Sequence, residues 1–395
     1  MTLANRINRI QPSATLAMTA KAAELKEQGK EVFNMSVGEP DFNTPDNIIN
    51  AAIQAMNSGY TRYTPGSGTA DIKKAIQEKL IRDNQLHYKT DEIIVSSGGK
   101  HSLYNACQAL FQKGDEVIIF TPYWVSFPDF VSITGATPVF VNTDPNKQYE
   151  PLFDDLESKI NNNTKGIIIN SPSNPTGGVW SDEAISRTIK LAKSKSIWVF
   201  SDECYEQLTY DTPFKSTYNI YPDYDRILTF QSCSKTYAMT GWRIGYTCGD
   251  SRVIKAMSKL QGQSTSCPNS IAQYAATEAL LGDQSSVERM KKAFQKRRDL
   301  IVNRLNSIEG ISCDLPGGAF YVFPDIKNLI DRNLSGKIIK SALDLCLILL
   351  ETKSVVSVAG NSFGANENIR FSYATSEQVI NEAMDRFEEV ILDCN

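Results

Sequence analysis

Residues Thr229–Tyr246 read TFQSCSKTYAMTGWRIGY. An apolar, strand-like run, Ile227-Leu228-Thr229-Phe230, leads into one lysine, Lys235, set among Ser232, Ser234 and Thr236. Arg243 follows in a Gly-Trp-Arg-Ile-Gly frame, bracketed by Gly241 and Gly245. A lysine among serines is as easily a solvated loop. The strand before it and the glycines around the arginine favour a site. Short hydroxyl donors and one planar cation are what a phosphate requires. An amine beside them can form a Schiff base with a phosphorylated aldehyde. The combination points to pyridoxal phosphate (PLP), anchored by Lys235, with Ser232, Ser234 and Arg243 around its phosphate.

The pattern SxSKxxxMTGWRIG resembles the cofactor-lysine signature of the class I aminotransferases, which are fold-type I PLP enzymes. The bacterial-type (subgroup Ib) aspartate aminotransferases, some of which also act on prephenate, are the most similar. The resemblance runs from about Pro12 to the C-terminal helix. It implies an α/β protein: a large PLP-binding domain with a mainly parallel, seven-stranded-type sheet between helices, and a smaller α/β domain. The expected division is 46–290 for the large domain, with 1–45 and 291–395 forming the small one.

Composition narrows the class. The 395 residues suffice for one large or two ordinary domains. With 41% apolar and 22% charged residues the chain reads as an ordinary globular protein. A net charge of −4 offers no basic field for nucleic acid or an anionic membrane. No apolar run approaches the roughly 18–20 residues of a membrane span, and Lys and Glu interrupt the N-terminal stretch before a signal-peptide core can form. Eight cysteines show no CxxC spacing, which fits a reduced, cytoplasmic protein. Two histidines make a His-based triad or His-rich metal site improbable.

Along the chain, short β-branched runs alternate with helical segments: Glu92–Ser96, Glu116–Phe120, Gly166–Asn170 and Ile197–Ser201 read as strands. Such alternation predicts a mainly parallel sheet with helices on both faces. Ligands then sit beyond the carboxyl ends of the strands. Trp124, Asn174, Asp202 and Tyr205 fall at those ends. A carboxylate, Asp202, would keep a pyridine nitrogen protonated. Asn174 and Tyr205 would donate to a phenolate oxygen, and Trp124 would stack on the ring. Singly, each has a plainer reading: a turn, a helix cap, a core aromatic. Ser97-Gly98-Gly99-Lys100 is a glycine turn between strand and helix, a setting that binds phosphate through free N–H groups.

Other positions rest on the resemblance. It implies that the N–H groups of Gly99 and Lys100 hold the phosphate. Gly38, in GEPDF, would touch the substrate carboxylate with its backbone, with Trp124 and Asn174 also facing substrate. Tyr63 would reach the partner subunit's phosphate, making a homodimer with shared sites. Arg370, in Ile-Arg-Phe-Ser-Tyr-Ala, would clamp the substrate α-carboxylate; an arginine inside an apolar strand is in any case costly without an anion. Gln108 is matched to a lysine that binds the distal carboxylate in some relatives, and Ser13 and Thr15 are further hydroxyl candidates there. Val358-Ala359-Gly360 departs from the usual Val-Pro-Gly. His101 is given no chemistry. The implied reaction is ping-pong transfer of an amino group from an amino acid, L-aspartate first, to 2-oxoglutarate. Prephenate or aromatic substrates, or lyase chemistry on the same fold, remain open.

Overall fold

The central apolar runs pair into one eight-stranded sheet. In spatial order the strands are Ile93–Ser97, Ile244–Cys248, Ile227–Ser232, Trp198–Asp202, Thr164–Asn170, Glu116–Thr121, Thr137–Asp144 and the two-residue Glu150–Pro151. Only Ile244–Cys248 and the short edge strand run opposite to the rest of the sheet. The computed structural model describes residues 3–10, 14–334 and 336–392. Seven strands of ordinary length plus that edge strand make up the expected sheet. In Thr137–Asp144, Pro138 removes a ladder donor and interrupts the apolar run that marks the other strands.

Strand alternation explains why both faces are covered. Ile118, Ile167, Val199 and Ile227 bury one face together with Ile185 and Ile189 of helix Asp182–Ser194. Their neighbours Ile119, Ile168, Phe200 and Leu228 bury the other, with Leu103 and Ile254 of helices Gly99–Leu110 and Ser251–Gly262. Strands buried on both faces must be apolar throughout, so they read as continuous runs. A separate core joins Phe33 and Met35 to Phe294, Phe320, Leu345, Phe371 and Phe387.

Three local features have physical causes. Thr44 does not cap helix Asp46–Asn57; its hydroxyl donates to Ala238 O at 2.7 Å. The Gly317–Phe323 run is extended only at Tyr321–Val322, because Ala319 takes φ 57°. Helix Ala342–Lys353 begins only after Lys337–Ile338 has paired with Asn333–Leu334, and Asp344 in its first turn accepts from Lys340 N and the Ser341 hydroxyl, tying the entering chain to the helix.

Candidate active site

The carboxyl ends of the parallel strands meet at one cavity of about 330 Å³. Strand register sets its floor: Asn170 pairs with Asp202, Asp202 with Phe230, and Ser232 with Gly245. Gly38, Gly99, Lys100, Trp124, Asn174, Asp202, Tyr205, Ser232, Ser234, Lys235, Arg243 and Arg370 all line it. Tyr63 does not: its side chain is 91% exposed in the single chain.

Lys235 sits in a one-turn helix, Cys233–Thr236, capped by Ser232 Oγ, which accepts from Ser234 N at 3.1 Å. Its ammonium donates to Gly38 O. Burial lowers the Lys235 pKa, because desolvation penalises the charged amine. Across the floor, burial pushes the Asp202 carboxyl up to about 7, opposed by a hydrogen bond from Cys204 N. The Tyr205 hydroxyl lies 2.9 Å from that of Tyr321.

The anion end is built by close backbone packing. Gly98 takes φ 90°, and a Cβ there would meet Arg243 Nη2 at 2.4 Å. A Cβ on Gly245 would meet Gly99 N at 2.2 Å. His101 and Ser102 N–H both donate to Gly98 O, so those of Gly99 and Lys100 are the open donors of the helix start. Arg243 holds a left-handed φ of 60°, a strained conformation for a bulky residue, and donates to Thr240 O at 2.8 Å.

Arg370 forms the opposite wall. It is 2% exposed and lies 4.7 Å from the Tyr321 ring centroid. It donates to Asn174 Oδ1 at 3.0 Å and Ser36 O at 2.6 Å. Its Nε is buried with no partner among the described residues. An unanswered buried donor is costly unless an incoming acceptor meets it. Cationic cradle, buried carboxyl, amide, phenol and lysine together fit the anion, ring nitrogen, ring oxygen and aldehyde of PLP.

The chain belongs to the class I and II aminotransferases. The family model for aminotransferase class I and II matches residues 30–387. A probable aspartate/prephenate aminotransferase from Rhizobium leguminosarum bv. phaseoli is 47% identical over 99% of both chains. The aspartate aminotransferase of Bacillus subtilis is 43% identical over 99% of both. Among solved structures, a Rhizobium meliloti aspartate aminotransferase covers 100% of both chains at 41% identity and TM-score 0.96. One from Thermus thermophilus, solved with maleate, is 38% identical over 99% of this chain and 100% of its own, with TM-score 0.93.

One expectation changes for this aminotransferase. Gln108 does not line the cavity; the residues of its helix that do are Gly99, Lys100 and Leu103. The cation facing the site from that helix is Lys100, whose Nζ lies 5.0 Å from the Trp124 ring centroid. Ser13 lies outside the described residues, as does the Thr15 side chain. His101 Nδ1 accepts from Ser97 N at 3.3 Å, a structural contact. Ala359 keeps φ −64°, the value a proline would fix, so the turn before Gly360 survives. Tyr321 and Gln231 also line the cavity and carry no motif.

Proposed function

We propose that this aminotransferase carries PLP on Lys235 and moves the amino group of L-aspartate to 2-oxoglutarate. One observation carries the reading: a single cavity gathers Lys235, the buried Asp202 carboxyl and the guanidinium of Arg370, whose Nε is buried without a partner among the described residues. Ser232, Ser234, Arg243 and the N–H groups of Gly99 and Lys100 would hold the phosphate. Asp202 would face the ring nitrogen, Asn174 and Tyr205 the ring oxygen, and Trp124 the ring itself. Bound there, PLP supplies an electron sink for charge developing at the substrate Cα.

Arg370 binds the α-carboxylate with its planar fork and orients the Cα–H bond. The Lys235 amine, neutral at lower pH than an exposed lysine, takes the Cα proton on Nζ and later returns it, acting as base and then acid. Besides Arg243 and Arg370, Lys100 places a further cationic side chain in the cavity, which suits the distal carboxylate of a dicarboxylic substrate. Maleate, carried by the Thermus thermophilus relative, is such a dicarboxylate. Prephenate is the alternative: a Cereibacter sphaeroides relative bears both names, and Leu103 and Val125 add an apolar wall.

The exposed Tyr63 side chain, with Ile53, Met56, Tyr60 and Tyr274 exposed nearby in sequence or on facing helices, fits a homodimer in which Tyr63 completes the partner's phosphate site. Free cysteines, seven among the described residues, suit a reducing cytoplasm. No helix among the described residues is long and apolar enough to cross a membrane.

The test is the visible spectrum of protein supplied with PLP. A yellow band that bleaches with L-aspartate and L-glutamate is expected. Bleaching only with aromatic or small apolar amino acids would overturn the aspartate assignment. Absence of any band would overturn the role of Lys235.

A further inference from the structure

Asp202 and Tyr205 line the cavity, but the glutamates beside them, Glu203 and Glu206, do not. Both are buried, at 0% and 6% exposure. Such carboxylates persist only when paired and hydrogen-bonded. Glu206 pairs with Lys79, itself 2% exposed, and accepts from Asn84 Nδ2 at 2.7 Å. Lys79 Nζ also donates to Asn84 Oδ1 and to Gln231 Oε1, each at 2.8 Å. The Tyr246 hydroxyl donates to the same Gln231 oxygen at 2.8 Å. Gln231 Nε2 donates to Glu203 at 3.2 Å. The other Glu203 oxygen accepts from Ser201, Ser216 and Thr217 N at 2.9, 2.8 and 3.1 Å.

Gln231 is therefore clamped from both ends. An ammonium on its oxygen and a carboxylate on its nitrogen permit one amide orientation. Its position matters because it directly precedes Ser232 and the Lys235 turn, while Glu203 directly follows Asp202. Well-packed apolar residues would stabilise such a core at least as well as buried charges do. Stability alone does not account for a charged chain laid behind the cavity.

We propose that Gln231 is a positioning residue of the active site: held between Lys79 and Glu203, it keeps the segment carrying Asp202 and Tyr205 in register with the turn carrying Ser232 and Lys235. The inference rests on the PLP reading above. A misplacement of about 1 Å can cost about a hundredfold in rate, so loss of this clamp is felt in kcat.

The experiment compares parent, Gln231→Met and the double variant Lys79→Met/Glu206→Gln. Gln231→Met removes the clamp and leaves the Lys79–Glu206 pair in place. The double variant removes both charges together, leaves no unpaired ion, and takes the cation off the Gln231 oxygen. Readouts are melting temperature without PLP, visible circular dichroism of bound PLP, and the kcat and KM for aspartate. Both variants are expected to fold, to lose visible dichroism, and to drop kcat about tenfold to a hundredfold with KM within about threefold. If Gln231→Met fails to fold, the double variant decides alone. Parental dichroism and kcat in a folded variant overturn the proposal. A parent that shows no visible band with PLP overturns the functional reading and the proposal with it; a parent with the band and unchanged variants overturns only the positioning role.

Discussion

Arg370 Nη1 donates to Asn174 Oδ1 at 3.0 Å, joining a strand of the C-terminal core to the turn that follows strand Thr164–Asn170. The bond leaves Arg370 Nε open and fixes the plane of the guanidinium. An α-carboxylate entering the cavity therefore meets a preset fork. Arg370→Lys keeps the charge but loses that geometry. Charge-assisted hydrogen bonds contribute about 1.5–3 kcal/mol each. The expected result is a fall of about tenfold to a hundredfold in kcat/KM for aspartate, with the PLP dissociation constant unchanged. Steady-state kinetics and a PLP titration on the same preparation check it.

Asp202 gives a pH signature without PLP. Burial holds its carboxyl at about 7, against an ordinary 3.8. Between those values the folded protein binds more protons than the unfolded chain. The contribution of this group to stability therefore falls as pH rises from about 4 to about 7. Asp202→Asn never ionises and escapes that loss. Its melting temperature, measured without PLP, is expected to rise relative to the parent's between about pH 5 and about pH 8. A difference that stays constant across that range would contradict the buried, proton-holding carboxyl.

Much of the site was legible because buried parallel strands leave a plain trace: an apolar run that stops at a polar residue. Asp202 after Trp-Val-Phe-Ser and Lys235 after Ile-Leu-Thr-Phe-Gln-Ser-Cys-Ser are of this kind. Pairings across the chain left none. Nothing local announces that Tyr321 lies against Tyr205, or that Gly245 needs its missing Cβ because Gly99 N lies within 2.2 Å of where it would stand. The Gln108 match failed on helix geometry: at 1.5 Å per residue it stands about 12 Å further along the helix than Lys100. Lys79 did leave a signal. It occupies the apolar face of helix Ala70–Asn84, at helical spacing from Ile72, Ala75 and Ile76, where a cation must find buried partners.

Lys100 tests the substrate class. It lines the cavity, and its pKa is lowered by burial and by Arg243 nearby. Lys100→Met retains the stem and removes the charge. With a dicarboxylic substrate, kcat/KM is expected to fall about tenfold or more, while activity toward a neutral amino acid falls far less. An equal loss for both, measured with aspartate and alanine, would place Lys100 outside substrate discrimination.

Tyr63 tests the shared site. Tyr63→Ala and Lys235→Ala are each expected to be strongly impaired. Mixed and allowed to exchange subunits, they form hybrid dimers in which one site combines Lys235 of one protomer with Tyr63 of the other. Activity above that of either variant alone is expected. No recovery in hybrids verified by native mass spectrometry would contradict the shared site.

The most direct measurement is reduction of PLP-loaded protein with borohydride, followed by peptide mass mapping. Reduction fixes the Schiff base as a stable covalent link. The account predicts the label on the peptide that contains Lys235, and none in Lys235→Ala. A label on another lysine, the buried Lys79 or the cavity-lining Lys100, or no label on a protein that remains active, would contradict it.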